Sequence, residues 1–213
     1  MIRAVIFDIG GVLVRTEDQA PRRKWERRFG MKDLELADLV FNSPASRRAS
    51  VGRATSTEVW AEVKQKLSLT PAELEELKTD FWRGDVWDTG LIRYVVALRP
   101  RFKTGIISNA WPDARENVKP QIDESAFDVI VFSGEEGLEK PQPGIYRRAL
   151  ERLRVQPSEA IFVDDMRANI EGAQAVGMFG VHFTDPAKAR AEIERLINDQ
   201  VEKSHDHRTQ AQT

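Results

Sequence analysis

Four places in the chain set a chemically capable side chain at the end of a short apolar run. In Ile6-Phe7-Asp8-Ile9-Gly10-Gly11 an acid ends such a run and two glycines follow. A carboxylate there can attack an electrophile or ligate a cation, and glycine lets the backbone curl close to a ligand. The same acid can also simply cap a turn. Gly105-Ile106-Ile107-Ser108-Asn109 ends in a hydroxyl and an amide. These groups and the amides of the following turn can hold phosphate oxygens, although Ser-Asn is also ordinary turn chemistry. Lys140 stands in Gly137-Leu138-Glu139-Lys140-Pro141-Gln142-Pro143, a loop stiffened by its prolines. A cation held there can neutralise a phosphoryl group and the carboxylate attacking it. Taken alone it reads as a solvated surface lysine. Ile161-Phe162-Val163-Asp164-Asp165 closes with two adjacent acids. Their repulsion calls for a cation or hydrogen-bond donors, and hard oxygens with no His or Cys nearby suit Mg²⁺. A helix N-cap with a first-turn acid is the alternative.

These residues need elements to position them. Ile2–Phe7, Thr104–Ile107, Val129–Phe132, Ala160–Val163 and Phe179–Phe183 are continuous apolar runs of strand length, which is how strands buried on both faces of a parallel sheet read. Between the later runs, Ile145, Ala149, Leu150 and Leu153, then Ile170, Ala173 and Val176, fall at helical spacing. Strands alternating with helices predict an α/β fold with a doubly wound parallel sheet of five strands. In such a sheet ligands bind outside the carboxyl ends of the strands, where Asp8, Ser108 and Asp164 fall.

Residues 16–88 break the alternation. No strand-like run is visible there. Val59, Trp60, Val63 and Leu67 share one helical face, as do Leu74, Leu77 and Phe81, and Thr57 and Thr70 are the expected N-caps, the latter with Pro71 behind it. An all-helical insertion after the first strand is therefore expected. The core resumes with a helix near Gly90 that Arg99-Pro100 ends. A last helix over about 187–201 precedes a polar tail, 202–213, that its composition marks as disordered.

Composition narrows the chemistry. The 213 residues include no cysteine, so thiolate zinc sites, disulfides and cysteine nucleophiles are excluded. Two of the three histidines, His205 and His207, fall in the tail, which leaves a Ser–His–Asp triad little to be built from. A net charge of -2 gives no reason to expect nucleic acid or an anionic membrane as partner. No apolar stretch reaches the roughly 20 residues of a membrane span, and no signal core is visible, so a cytoplasmic location is expected.

Asp8, Ser108, Lys140 and Asp164-Asp165, in that order, resemble the four motifs of the haloacid dehalogenase superfamily over nearly the whole chain. Lys140-Pro141-x-Pro143-x-Ile145-Tyr146 and Asp164-Asp165-x-x-x-Asn169-Ile170-x-Gly172-Ala173 are similar to a phosphatase-rich, capped branch of it. The resemblance implies a Rossmann-like catalytic core over 1–15 and 89–201 with a helical cap over 16–88. It implies a magnesium-dependent phosphatase in which Asp8 is the nucleophile. Asp8, the Gly10 carbonyl and Asp164 would hold Mg²⁺, with Asp165 completing the metal site mainly as an orienting group. Ser108 and Lys140 would hold the phosphoryl oxygens. Asn109 and Trp111 would face substrate, and Asn169 would do so or position the loop or the lysine.

In one respect the chain departs from the pattern. Phosphatases of the superfamily usually carry a second aspartate two residues after the nucleophile, which protonates the leaving oxygen; here that position is Gly10. General acid–base help is worth roughly 10²–10⁴-fold. The enzyme is then slow, or takes good leaving groups, or draws its proton from another residue; Glu17 and Asp18 are near in sequence. The expected substrate is a small phosphorylated metabolite, a sugar phosphate or nucleotide, turned over by a monomer or homodimer. Two other readings stand beside it: a degenerate relative that binds a phospho-ligand or protein without turnover, and a 2-haloacid dehalogenase.

Overall fold

The computed structural model describes the backbone of residues 1–210 and the side chains of residues 1–200. The first strand, β1 (Ala4–Phe7), is four apolar residues, all fully buried. The chain leaves it through a short strand, β2 (Val14–Thr16), and passes through five helices, α1 (Ala20–Arg28), α2 (Glu35–Asn42), α3 (Pro44–Ala49), α4 (Ser56–Lys66) and α5 (Pro71–Arg83). It returns through β3 (Asp85–Trp87). Then come α6 (Thr89–Leu98), β4 (Lys103–Ser108), α7 (Ala114–Val118), β5 (Val129–Phe132), the single turn α8 (Ser133–Glu136), α9 (Pro143–Leu153), β6 (Ala160–Asp164), α10 (Arg167–Val176), β7 (Phe179–His182) and α11 (Pro186–Gln210).

The five strands read from apolar runs form one sheet in the order β5-β4-β1-β6-β7, every neighbouring pair parallel. Strand alternation divides the core. Val5 and Phe7 face a cluster with Leu91, Val95, Ile193 and Ile197 of α6 and α11, while Ala4 and Ile6 face Ile145, Ala149, Ile170 and Ala173 of α9 and α10. Helices thus cover both faces, as continuous rather than alternating apolar strands require. The register levels the strand ends. Phe7 pairs with Ile106 on one side and Val163 on the other, so Asp8 and Asp164 each lie one residue past the same pair. Asp8 N donates to Val163 O at 2.9 Å.

The helical segment has its own apolar centre: Trp25, Leu36, Val40, Trp60, Val63, Leu77 and Phe81. Two expectations about it change. The first concerns strands: β2 and β3 pair antiparallel, Val14 with Trp87 and Thr16 with Asp85. These three-residue strands are partly exposed and carry no apolar run, so periodicity cannot show them. Side chains fix the pair instead. Thr16 Oγ1 donates to Asp85 Oδ1 at 2.6 Å, Arg22 Nη2 donates to the same oxygen at 2.9 Å, and Arg15 reaches Asp88 at 2.9 Å. Gly84 lets the two connections cross, since a Cβ there would meet Asp18 O at 1.9 Å.

The second concerns the cap of α4, which is Thr55 and not Thr57. Glu58 lies three residues after Thr55, so the two close a reciprocal box: Thr55 Oγ1 accepts from Glu58 N at 3.2 Å and Glu58 Oε2 accepts from Thr55 N at 2.8 Å. Thr70 caps α5 in the same way, with Pro71 at the first position. Thr55→Ala is expected to lower stability by about 1 kcal/mol in denaturant titration, and Thr57→Ala to change it by less than about 0.5 kcal/mol. Equal losses from both would put the cap elsewhere.

The last helix also runs past its expected end, to Gln210. Residues 202–210 were expected to be disordered from polarity alone; they contain no glycine or proline to stop a helix already under way. The rest of that expected tail, 211–213, lies outside the described residues. No helix among the described residues is long and apolar enough to cross a membrane.

Candidate active site

The carboxyl ends of β1 and β6 bring Asp8 and Asp164 together, and one cation joins them. Lys140 Nζ lies 2.9 Å from Asp8 Oδ1 and 2.6 Å from Asp164 Oδ2. All three are nearly out of solvent: Asp8 is 7% exposed, Lys140 4% and Asp164 0%. A buried lysine is held this way only where it is paired. The surface alternative for Lys140 therefore falls away. Asp165 adds a third carboxylate, and one ligand oxygen from each of Asp8, Asp164 and Asp165 lies within 4.8 Å of the others.

Burial shifts two of these carboxyls, Asp8 and Asp165. It raises the Asp8 carboxyl from 3.8 to about 6; the Lys140 ammonium works against the rise and the Asp164 carboxylate adds to it. The Asp165 carboxyl is also pushed up, by burial first and then by Asp164. Three carboxylates against one ammonium leave the site short of positive charge, the condition a divalent cation relieves.

The surrounding residues hold these groups still. Met166 N donates to Asp164 Oδ1 at 2.8 Å, and Asn169 Nδ2 donates to both Asp164 oxygens at 3.0 and 3.1 Å. Ile9 N donates to Asp8 Oδ1 at 2.7 Å. Asn109 clamps the backbone of Lys140 in both directions, Nδ2 donating to the carbonyl at 3.0 Å and Oδ1 accepting from the amide at 2.8 Å. The amides of Asn109 and Asn169, expected to face substrate, are thus engaged by protein groups, Asn109 at the surface and Asn169 buried. Asn169 positions Asp164 rather than the loop or Lys140. Ser108, 6% exposed, ends β4 and finds no partner for its hydroxyl among the described residues, which leaves it available to an anion.

Trp111 is a joint between the sheet and the helical segment. Its Nε1 donates to Ser46 Oγ at 3.0 Å, and its ring lies 6.2 Å from Trp60, 6.2 Å from Phe41 and 6.5 Å from Trp82. Phe41 and Trp82 are 42% and 44% exposed. Ser56 Oγ adds a second tie, to Asp113 Oδ2 at 2.5 Å. Of the other tryptophans, Trp25 belongs to the helical core and Trp87 packs on the sheet.

Three further residues support these groups, none of them a candidate site residue in the sequence. Tyr146, fully buried, donates to Asn169 O at 2.8 Å and so steadies the group that holds Asp164. Ser133 Oγ accepts from Ala110 N at 2.9 Å, fixing the turn after Ser108. Gly11, at φ +76°, sits where a Cβ would run into the Asp165 carboxylate at 2.2 Å. Glu17 and Asp18 are engaged elsewhere: Glu17 lies 3.8 Å from Arg15, and Asp18 Oδ1 accepts from Ala20 N at 2.8 Å.

The haloacid dehalogenase-like hydrolase family model matches residues 2–177. A sesquiterpene phosphatase of Aspergillus oryzae is 28% identical over 92% of this chain and 96% of its own length. A validoxylamine A 7'-phosphate phosphatase of Streptomyces hygroscopicus is 25% identical over 95% and 96%. A bifunctional epoxide hydrolase 2 of Sus scrofa is 30% identical over 94% of the chain, which spans only 40% of that protein. Among solved structures, a HAD family enzyme of Bacteroides thetaiotaomicron in complex with magnesium and inorganic phosphate superposes with a TM-score of 0.72 at 17% identity, covering 86% of this chain and 95% of that one. A HAD-like family hydrolase of Porphyromonas gingivalis gives 0.73 at 22% identity, covering 92% and 98%. With its family model matched over 2–177 and its fold shared with such structures, the chain belongs to the haloacid dehalogenase-like hydrolases.

Proposed function

We propose that this hydrolase is a magnesium-dependent phosphomonoesterase acting through an aspartyl-phosphate on Asp8. The observation that carries the reading is the buried Lys140 shared by Asp8 and Asp164, with Asp165 completing a three-carboxylate cluster. The donor set is all carboxylate oxygen, the chemistry Mg²⁺ prefers, and Asp8, Asp164 and Asp165 with the Gly10 carbonyl are the groups that would hold it. When bound, Mg²⁺ offsets the negative charge of the site and of the phosphoryl oxygens. The chain's own residues do the rest. A carboxylate oxygen of Asp8 attacks phosphorus, and the electron pair of the breaking P–O bond leaves with the ester oxygen. Lys140 and the free Ser108 hydroxyl take the non-bridging oxygens. Water then cleaves the acyl phosphate and restores Asp8. Asn169, Asn109 and Tyr146 are positioning residues.

In this reading residues 16–88 are a cap over the site, tied down through Trp111 and Ser56. The exposed rings of Phe41 and Trp82 beside Trp111 would meet the organic part of a small phosphorylated metabolite. A sugar or nucleoside ring stacks on such a surface, and so does a terpenoid chain, the kind of substrate named for the Aspergillus relative. The dehalogenase alternative is disfavoured by charge, because a site that displaces halide from carbon in a substrate already carrying a carboxylate gains nothing from Asp164 and Asp165 so close to Asp8.

The test is release of inorganic phosphate from a panel of small phosphomonoesters, with Mg²⁺ and with EDTA. Turnover that EDTA abolishes and Mg²⁺ restores is the expected result. A folded protein that binds Mg²⁺ and turns over no ester would leave a phospho-ligand binder in place of the enzyme.

A further inference from the structure

The reaction proposed above must dispose of a leaving oxygen, and among the described residues the acidic groups near the site are each engaged elsewhere. Gly10, two residues beyond Asp8, is exposed, and a Cβ built on it would meet nothing within 4 Å. Its backbone lies outside the left-handed region that only glycine favours. Space and conformation would both accept a side chain at the mouth of the site, yet none is present and no neighbour fills the gap.

The other proton carriers are committed. Lys140 is shared between Asp8 and Asp164. Asp165 belongs to the carboxylate cluster and lies against Gly11. The Tyr146 hydroxyl is spent on Asn169 O, in full burial. His182 Nε2 meets Asp165 O at 2.9 Å. Glu17 is turned out toward Arg15, at 3.8 Å, and Asp18 accepts from Ala20 N at the start of α1.

Resting on the phosphatase reading, we infer that this site expels its leaving group as an unprotonated anion, and so selects phosphates whose leaving oxygen is stable in that form: acyl, enol, aryl and anomeric phosphates rather than simple alkyl esters. In the first step the Asp8 oxygen forms its bond to phosphorus, the ester P–O bond breaks, its electron pair stays on the departing oxygen, and that oxygen takes a proton from water after it has left. The rate then follows the acidity of the leaving group steeply. Where a general acid acts, the slope is shallow, because the proton offsets the charge as it develops.

The experiment is kcat/KM of the native chain with Mg²⁺ across substituted phenyl phosphates of graded phenol acidity, acetyl phosphate and an alkyl phosphate. A steep fall toward the alkyl ester is expected. Gly10→Asp, checked for folding by circular dichroism, should raise the alkyl-to-aryl rate ratio by about 10²-fold or more. A shallow native slope overturns the inference, as does a folded Gly10→Asp protein whose ratio stays where it was. If even the most acidic leaving groups are released no faster than by Asp8→Asn, the phosphatase reading itself has failed, and the two failures are distinct.

Discussion

Asp8→Asn is expected to remove phosphate release almost completely, by at least about 10³-fold, while making the metal-free protein more stable at neutral pH. The loss follows from chemistry: an amide oxygen cannot form the covalent bond on which both steps depend. The gain follows from the cost of keeping this carboxylate in place. Burial and Asp164 lift the Asp8 carboxyl from 3.8 to about 6 despite Lys140. With the folded value above the unfolded one, the native state binds more protons between those pH values. Its penalty from this group is absent near pH 4, grows as pH rises, and is fully present above about pH 6. Asparagine carries no charge and escapes it. In EDTA at pH 8 the variant should therefore resist denaturant better by on the order of 1–3 kcal/mol, with the advantage vanishing toward pH 4. Saturating Mg²⁺ should narrow the difference by stabilising the native chain more. A variant less stable than native at pH 8 in EDTA would mean that the Lys140 pair outweighs burial.

The five core strands were legible because each is a continuous apolar run, and the site because Asp8, Ser108 and Asp164 end such runs in a sheet whose register levels Asp8 with Asp164 and sets Ser108 one residue beyond. Three-residue strands held by Thr16, Arg22 and Asp85 carry no such period, so β2 and β3 were not legible. Thr55 could have been found, since Glu58 at the third position is the signature of a box. The roles of Asn109 and Asn169 could not. An amide shows which atoms it offers but not whether substrate, a loop backbone or another side chain will take them, and here the partners lie 31 residues away at Lys140 and 5 away at Asp164. Lys140 is the reverse case: alone it looks like a surface residue, and only the two carboxylates converging on it make it a core one.

That convergence sets the second large effect. Lys140→Met keeps the length and apolar stem of the side chain and deletes its charge, leaving Asp8 and Asp164 buried without the ammonium they share. Breaking a buried pair by removing one partner costs about 3–5 kcal/mol, and that loss is expected at pH 8 in EDTA. Asp164 keeps its donors from Met166 and Asn169, and Asp8 keeps Ile9 N, so the fold should survive but weakened. Lys140 opposes the rise of the Asp8 carboxyl; without it, Asp8 takes up its proton at higher pH than in the native chain. The deficit should therefore shrink as pH falls, because a protonated Asp8 no longer repels Asp164. Added Mg²⁺ should shrink it at fixed pH by supplying the missing positive charge. Phosphate release should fall by about 10²–10³-fold even with Mg²⁺ saturating, since the cation that met the phosphoryl oxygens is gone. Lys140→Arg should not rescue it, because a planar guanidinium cannot replace a point charge shared between two carboxylates in a closed space. Denaturant titration over pH 5–8 with and without Mg²⁺ reads the stability arm and phosphate release reads the other. Stability that is unchanged at pH 8 would show that the Asp8–Asp164 pair carries its own proton, and that Lys140 is not its counter-ion.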